Sequence, residues 1–173
     1  MIALDDLRRL CPTTPTARLE LFLDPLNDAM NEFEISNPAR ETMFLAQVAH
    51  ESGGFHYVRE LASGEAYEGR EDLGNTEPGD GVRYKGRGLI QITGRGNYAR
   101  CGNALGLDLV GSPELLEEPV NAARSAGWFW AEHGLNARAD VGDFRGITKR
   151  INGGLNGWAD RMAYLERAQQ ILA

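Results

Sequence analysis

The chain has 173 residues, of which 42% are hydrophobic and three are tryptophan, enough for one compact core and too little for a second full domain. Its 25 acidic against 18 basic side chains leave a formal charge of −7, which argues against a nucleic-acid partner and against strong attraction to anionic cell walls. No apolar run approaches the roughly 18 residues that a membrane span needs, and Met1-Ile2-Ala3-Leu4-Asp5-Asp6-Leu7 lacks the basic start and apolar middle of an export signal. The expectation is one domain over 1–173, a monomer without stable membrane insertion and without its own export signal.

In chain order, apolar spacing predicts a short helix over 3–10, a turn at Cys11-Pro12-Thr13-Thr14-Pro15, and a helix over 17–33. Asn37-Pro38 announces the next helix, over 38–51, because Asn is a good N-cap and Pro suits the first helical position. Residues 63–80 are rich in Gly, Glu and Asp without periodicity and predict an irregular lobe, or a small hairpin, beside a cleft. Residues 88–93 alternate weakly, as a short strand or an extended loop.

Helices resume near 97–105, and Ser112-Pro113 repeats the cap-then-proline signal. A core helix over 120–133 carries Val120, Ala123, Gly127, Trp130 and Ala131 at helical intervals. Asp140 is the expected cap of a helix to 151, and a last helix covers 158–172. There is no internal repeat and no low-complexity linker.

Two glutamates stand out. Glu51 ends the buried-looking run Phe44-Leu45-Ala46-Gln47-Val48-Ala49, where partial withdrawal from water suits a general acid. Glu60 follows the glycine pair Gly53-Gly54. A continuous helix would put the two acids on opposite faces, about 13 Å apart along its axis. Gly53 and Gly54 supply the break that lets the chain return. Two carboxyl groups in unlike environments, separated by roughly 6.5 to 9.5 Å, are what inverting hydrolysis of a glycosidic bond requires. Glu65 and Glu68 are the alternative bases.

These residues lie in longer blocks: His50-Glu51-Ser52-Gly53-Gly54, Lys85-Gly86-Arg87-Gly88-Leu89-Ile90-Gln91-Ile92-Thr93, Asn97-Tyr98, Ala104-Leu105-Gly106-Leu107-Asp108-Leu109, Ile151-Asn152-Gly153-Gly154-Leu155 and Ala159-Asp160-Arg161. In this order, over about 44–165, they resemble the signature blocks of family 19 glycoside hydrolases, which include chitinases and peptidoglycan-cleaving phage endolysins. The resemblance implies a mainly α, lysozyme-like (α+β) fold and cleavage with inversion, with no cofactor and no metal. It implies Glu51 as general acid, Glu60 as general base and Thr93 as the hydroxyl that helps hold the attacking water. It also implies Gln91, Asn97 and Asn152 at positions that bind sugar or orient the site, and Arg161 as a basic residue near the catalytic network that contributes to substrate binding.

The chain departs from the chitinases in its short segment between the acids and in Gly96, where they carry an aromatic residue. Both departures count against chitin, and the short segment, with the single-domain length and the missing export signal, points to the endolysin branch. The expected substrate is therefore the peptidoglycan glycan, cut in the periplasm after synthesis in a host cytoplasm and holin-type release. A compact chitinase acting on β-1,4-linked N-acetylglucosamine polymers is the alternative. A sugar-binding module without catalysis would not need both acids and the Thr93 hydroxyl.

Other patterns weigh less. His50 and His56 do not have the spacing of the zinc protease motif, whose second histidine would fall at Gly54. Leu89 to Ala99 reads as the strand, Gly-x-Gly turn and helix of a dinucleotide-binding unit, but no second parallel strand follows. Cys11 and Cys101 lack metal spacing and are expected as free thiols. Among the aromatics able to stack on sugar, Tyr57, Tyr67, Tyr84, Tyr98, Trp128, Trp130 and Trp158, the tryptophans of 120–133 read as core. Tyr84 and Trp158, beside glycine-rich segments, read as cleft candidates, with Tyr84 assigned to substrate binding.

Overall fold

A computed structural model describes residues 1–172. Its helices are α1 (Leu4–Leu10), α2 (Thr16–Glu32), α3 (Pro38–Glu51), α4 (Asp80–Arg83), α5 (Arg95–Leu105), α6 (Pro119–Glu132), α7 (Leu135–Asp140), α8 (Phe144–Asn152) and α9 (Trp158–Leu172). Glu65–Tyr67, Glu71–Leu73 and Pro113–Glu117 form short 3-10 turns. The fold is mainly helical and lysozyme-like, as the sequence implies.

α3 starts where its signals place it: the Asn37 side chain accepts the Arg40 N–H at 2.9 Å, and Pro38 opens the first turn. Every residue from Thr42 to Ala49 is buried, so α3 is the central helix, enclosed on all sides rather than along one stripe. It packs mainly on α9, while α2 packs on α6. Phe44 meets Trp130 of α6 edge to face at 5.4 Å, and the indole N–H finishes on Asn136 Oδ1 at 2.8 Å. Burial of each such side chain contributes about 1.5–3 kcal/mol.

The region between α3 and α5 forms no hairpin. Among the described residues its strand-like pairing is limited to isolated bridges, Arg59 with Arg87 and Arg87 with Ile92. Carboxylates and amides satisfy its backbone instead. Glu68 accepts the N–H groups of Gly79 and Gly81 at 2.6 and 2.8 Å, and Asn75 accepts the Arg95 N–H at 2.8 Å. Asp80, buried, accepts the Glu77 N–H and pairs with Arg95 at 2.6 Å. Glycine and acidic residues disfavour strands, and these side-chain bonds replace the ladder. The segment before α5 is likewise no strand, so the Gly94-x-Gly96 turn does not belong to a dinucleotide-binding unit.

The expected cap at Asp140 is corrected. Asp143 caps α8, accepting the Gly146 N–H at 2.8 Å, and a separate short helix, α7, ends at Asp140. Asp140 instead receives Arg40 Nε at 2.7 Å and Asn37 Nδ2 at 2.9 Å, tying α7 to the start of α3. The Arg40 guanidinium, then Asn37, hold its carboxyl below the ordinary 3.8, at about 2. A depressed folded value means that this contribution is full above 3.8 and lost as pH falls through about 2. Asp140→Asn should therefore lower the thermal midpoint at pH 6, with the gap to wild type closing between those values; a constant gap would refute the linkage.

Cys11 and Cys101 are buried free thiols, and burial pushes both up to about 12.

Candidate active site

The end of α3 determines what Glu51 can do. Glu51 is its last residue, and Gly53, Gly54 and Phe55 follow with φ of +59, +70 and +68°, a left-handed run that ends the helix. Gly54 has a second reason to be glycine: a Cβ there would lie 2.9 Å from Thr14 Oγ1, which donates to the Gly54 carbonyl at 2.7 Å. Phe55 is held in this conformation by its N–H on Ser52 Oγ at 2.8 Å and by its ring against Phe22. The chain then returns alongside Gly86-Arg87, where the Glu60 N–H donates to the Gly86 carbonyl at 2.8 Å.

Glu51 keeps 18% of its side chain exposed, and its Oε1 accepts Arg161 Nη2 at 2.5 Å. Arg161, on the first turn of α9, is buried. It also donates to Gln47 Oε1 and to the Asn156 carbonyl, and Gln47 passes the link to Thr148 of α8 at 2.8 Å. One residue away, His50 Nδ1 lies 2.6 Å from Asp160 Oδ2. Two adjacent pairs thus clamp the end of α3 to the start of α9.

Glu60 sits in a different environment. Tyr67 donates its hydroxyl to Oε1 at 2.9 Å, and the Gly86 N–H donates to Oε2 at 3.0 Å. Burial, with Glu60 beside it, holds the Tyr67 phenol above its usual range, so it remains a donor. Gly86 is flanked on both sides: an added Cβ would lie 2.8 Å from Gln91 Oε1 and 3.2 Å from Glu60 Oε2. Gly86→Ala should therefore displace the Glu60 carboxylate and lower kcat on the order of a hundredfold with little change in melting temperature. A wild-type rate would dissociate this contact from catalysis.

Beyond Gly86 a continuous set of bonds runs along one wall of a groove of about 300 Å³. Gln91 holds a left-handed φ of +58° although it is not glycine, a conformation that costs on the order of 1 kcal/mol and concentrates at functional sites. Its Nε2 donates to the Gly88 carbonyl at 2.9 Å, Thr93 Oγ1 donates to the Gln91 carbonyl at 3.0 Å, and Asn97 Nδ2 donates to the Thr93 carbonyl at 2.7 Å. Trp128 and Phe129 of α6, His133 just after it, Arg100 of α5 and Arg150 and Ile151 of α8 also line it.

The structure thus groups Glu60, Gln91, Thr93 and Asn97, and separately groups Glu51 with Arg161. Asn152 is exposed at the end of α8, where its Oδ1 accepts the Asn156 N–H at 3.2 Å and shapes the following turn. Two expectations need correction. Tyr84 is buried, with its hydroxyl on the Val110 carbonyl at 2.9 Å and its ring against Tyr98, so it supports the core and offers no face to a sugar. Arg161 is equally inaccessible, so it positions Glu51 rather than binding substrate. Glu68, with both oxygens on backbone N–H groups, is engaged structurally, which weakens it as an alternative base.

Trp158, the other cleft candidate, is half-buried against Phe144. Sequence reasoning missed Gln47, an amide inside an apolar run, and missed the role of Tyr67, which acts through its hydroxyl rather than by stacking.

The class I chitinase family profile matches residues 36–140. A glycosyl hydrolase family 19 domain-containing protein of Haemophilus influenzae is 35% identical over 157 residues, covering 72% of this chain and 76% of that protein. An endochitinase of Arabidopsis thaliana is 42% identical over 113 residues, covering 64% of this chain but 38% of its own length. The crystal structure of chitinase C from Streptomyces griseus superposes with a TM-score of 0.77 at 26% identity, over 99% of this chain and 76% of that one.

Proposed function

Because the chain belongs to glycoside hydrolase family 19, the class I chitinase family, and is a glycosidase of that family, we propose that it cleaves β-1,4 bonds of N-acetylglucosamine polymers with inversion. The observation that carries the mechanism is the unlike setting of the two acids. Glu51 has Oε1 held by Arg161, so the proton for the glycosidic oxygen travels on Oε2. Glu60 is aimed by Tyr67 and Gly86, and its remaining lone pairs receive a proton from the attacking water. Thr93 already donates its hydroxyl hydrogen to Gln91, so towards that water it acts as an acceptor. Gln91, Asn97 and Asn152 hold the sugar. No cofactor takes part.

The names of the relatives, an endochitinase and a chitinase, support chitin as the polymer ahead of the peptidoglycan expected from sequence. Peptidoglycan is the second reading, favoured by the short loop between the acids and by Gly96; on that reading the protein is an endolysin, released to the periplasm. Purified protein on colloidal chitin beside purified cell walls separates the two. Clearing of chitin is the expected result, clearing of walls alone selects the second reading, and clearing of neither refutes both.

A further inference from the structure

Arg150 lines two depressions at once. One is the groove bordered by Gln91, Thr93 and Asn97; the other is a shallow depression of about 450 Å³ on the outer side of α8, which also takes in Arg138, Arg145 and Lys149. Asp143, the single carboxylate in that lining, is paired with Arg138 at 2.5 Å and caps the helix with its other oxygen. Arg145, Lys149 and Arg150 remain, all exposed and none in an ion pair among the described residues. Helix polarity accounts for cations at Lys149 and Arg150, in the last turn, but not at Arg145, which stands in the first turn where positive charge is unfavourable. The groove itself is lined by Arg100, His133 and Arg150 and by no carboxylate. A chain of net charge −7 thus places a cationic shelf beside its groove, the two sharing Arg150.

We propose that this shelf is an anion subsite that receives carboxylates carried by the polysaccharide, so that the enzyme prefers acidic N-acetylglucosamine polymers to neutral ones. The local field of a cationic shelf acts on substrate capture independently of net charge, because charges farther off than about one Debye length, roughly 8 Å in physiological salt, are screened. The inference rests on the proposed glycosidase activity, and the test keeps the two apart.

Carboxymethyl chitin and glycol chitin share a backbone and differ in the charge of the substituent. Wild-type protein should show a higher kcat/KM on the carboxymethyl polymer, through KM, and lose that preference in about 1 M salt, where the screening length falls to about 3 Å. Arg145→Gln/Lys149→Gln should lower the ratio of the two kcat/KM values about fivefold, from two exposed charge contacts, while activity on glycol chitin is unchanged. Arg145→Glu/Lys149→Glu should reverse the preference. Equal ratios in wild type and both variants would overturn the subsite with the activity intact; hydrolysis of neither polymer would instead overturn the proposed function.

Discussion

Glu51→Gln is expected to lower kcat by roughly a hundredfold to ten-thousandfold in a protein that still folds, the contribution of one positioned general acid. The amide oxygen can still accept from Arg161, now 2.5 Å from Glu51 Oε1, so the clamp between α3 and α9 persists. What is lost is the proton. The guanidinium keeps an acceptor but loses its counter-charge, which costs on the order of 1–2 kcal/mol and a few degrees of melting temperature. Rates on a soluble chitin derivative, beside circular dichroism spectra, measure both effects. A near-normal rate would remove Glu51 from the chemistry. Glu60→Gln should fall comparably, because Tyr67 and the Gly86 N–H donate to different carboxylate oxygens, one of which becomes an NH2 group, and because the amide cannot take a proton from water. If that variant stays active, Glu65 becomes the candidate base.

The largest stability effect is expected at Arg161. Arg161→Met keeps much of the volume but strands three acceptors, Glu51 Oε1, Gln47 Oε1 and the Asn156 carbonyl. Removing one partner of a buried pair costs about 3–5 kcal/mol. Glu51 is partly exposed and regains some water, which places the expectation near 3 kcal/mol, a fall of roughly 10 °C for a chain of this size. Arg161→Lys should recover only part of it, since one ammonium cannot reproduce the planar fork that serves three acceptors in fixed directions. Chemical denaturation of the three proteins gives the order wild type, Lys, Met. Equal midpoints for wild type and Met would show that the buried cation holds nothing together.

These expectations draw on two kinds of information. The Asn37-Pro38 start of α3, the break at Gly53-Gly54 and the helical intervals before Trp130 are visible in the amino-acid order because each depends on neighbours within a turn or two. The signature blocks likewise identify the family, and the resemblance points to Glu51, Glu60 and Thr93 as the proposed catalytic set. The same local signals mislead where two residues have equal merit: Asp140 and Asp143 both suit a cap, and Arg40 and Asn37, reaching across from the start of α3, draw Asp140 away. Tyr84 follows the same pattern, since its neighbouring glycines imply an open site while Val110 and Tyr98 enclose it.

Chain order and local chemistry settle most of the long helices, where α3 stops and which family the signature blocks belong to. The docking of α9 on α3 settles that Arg161 serves Glu51, and the return of the loop against Gly86 settles that Tyr67 serves Glu60. The difference is one of range. A cap or a period is decided by bonds spanning a few residues, whereas a pairing such as Arg161 with Glu51 competes with every other match among 18 basic and 25 acidic side chains. Only the packing of the core selects among those matches, by choosing which polar groups lose water together.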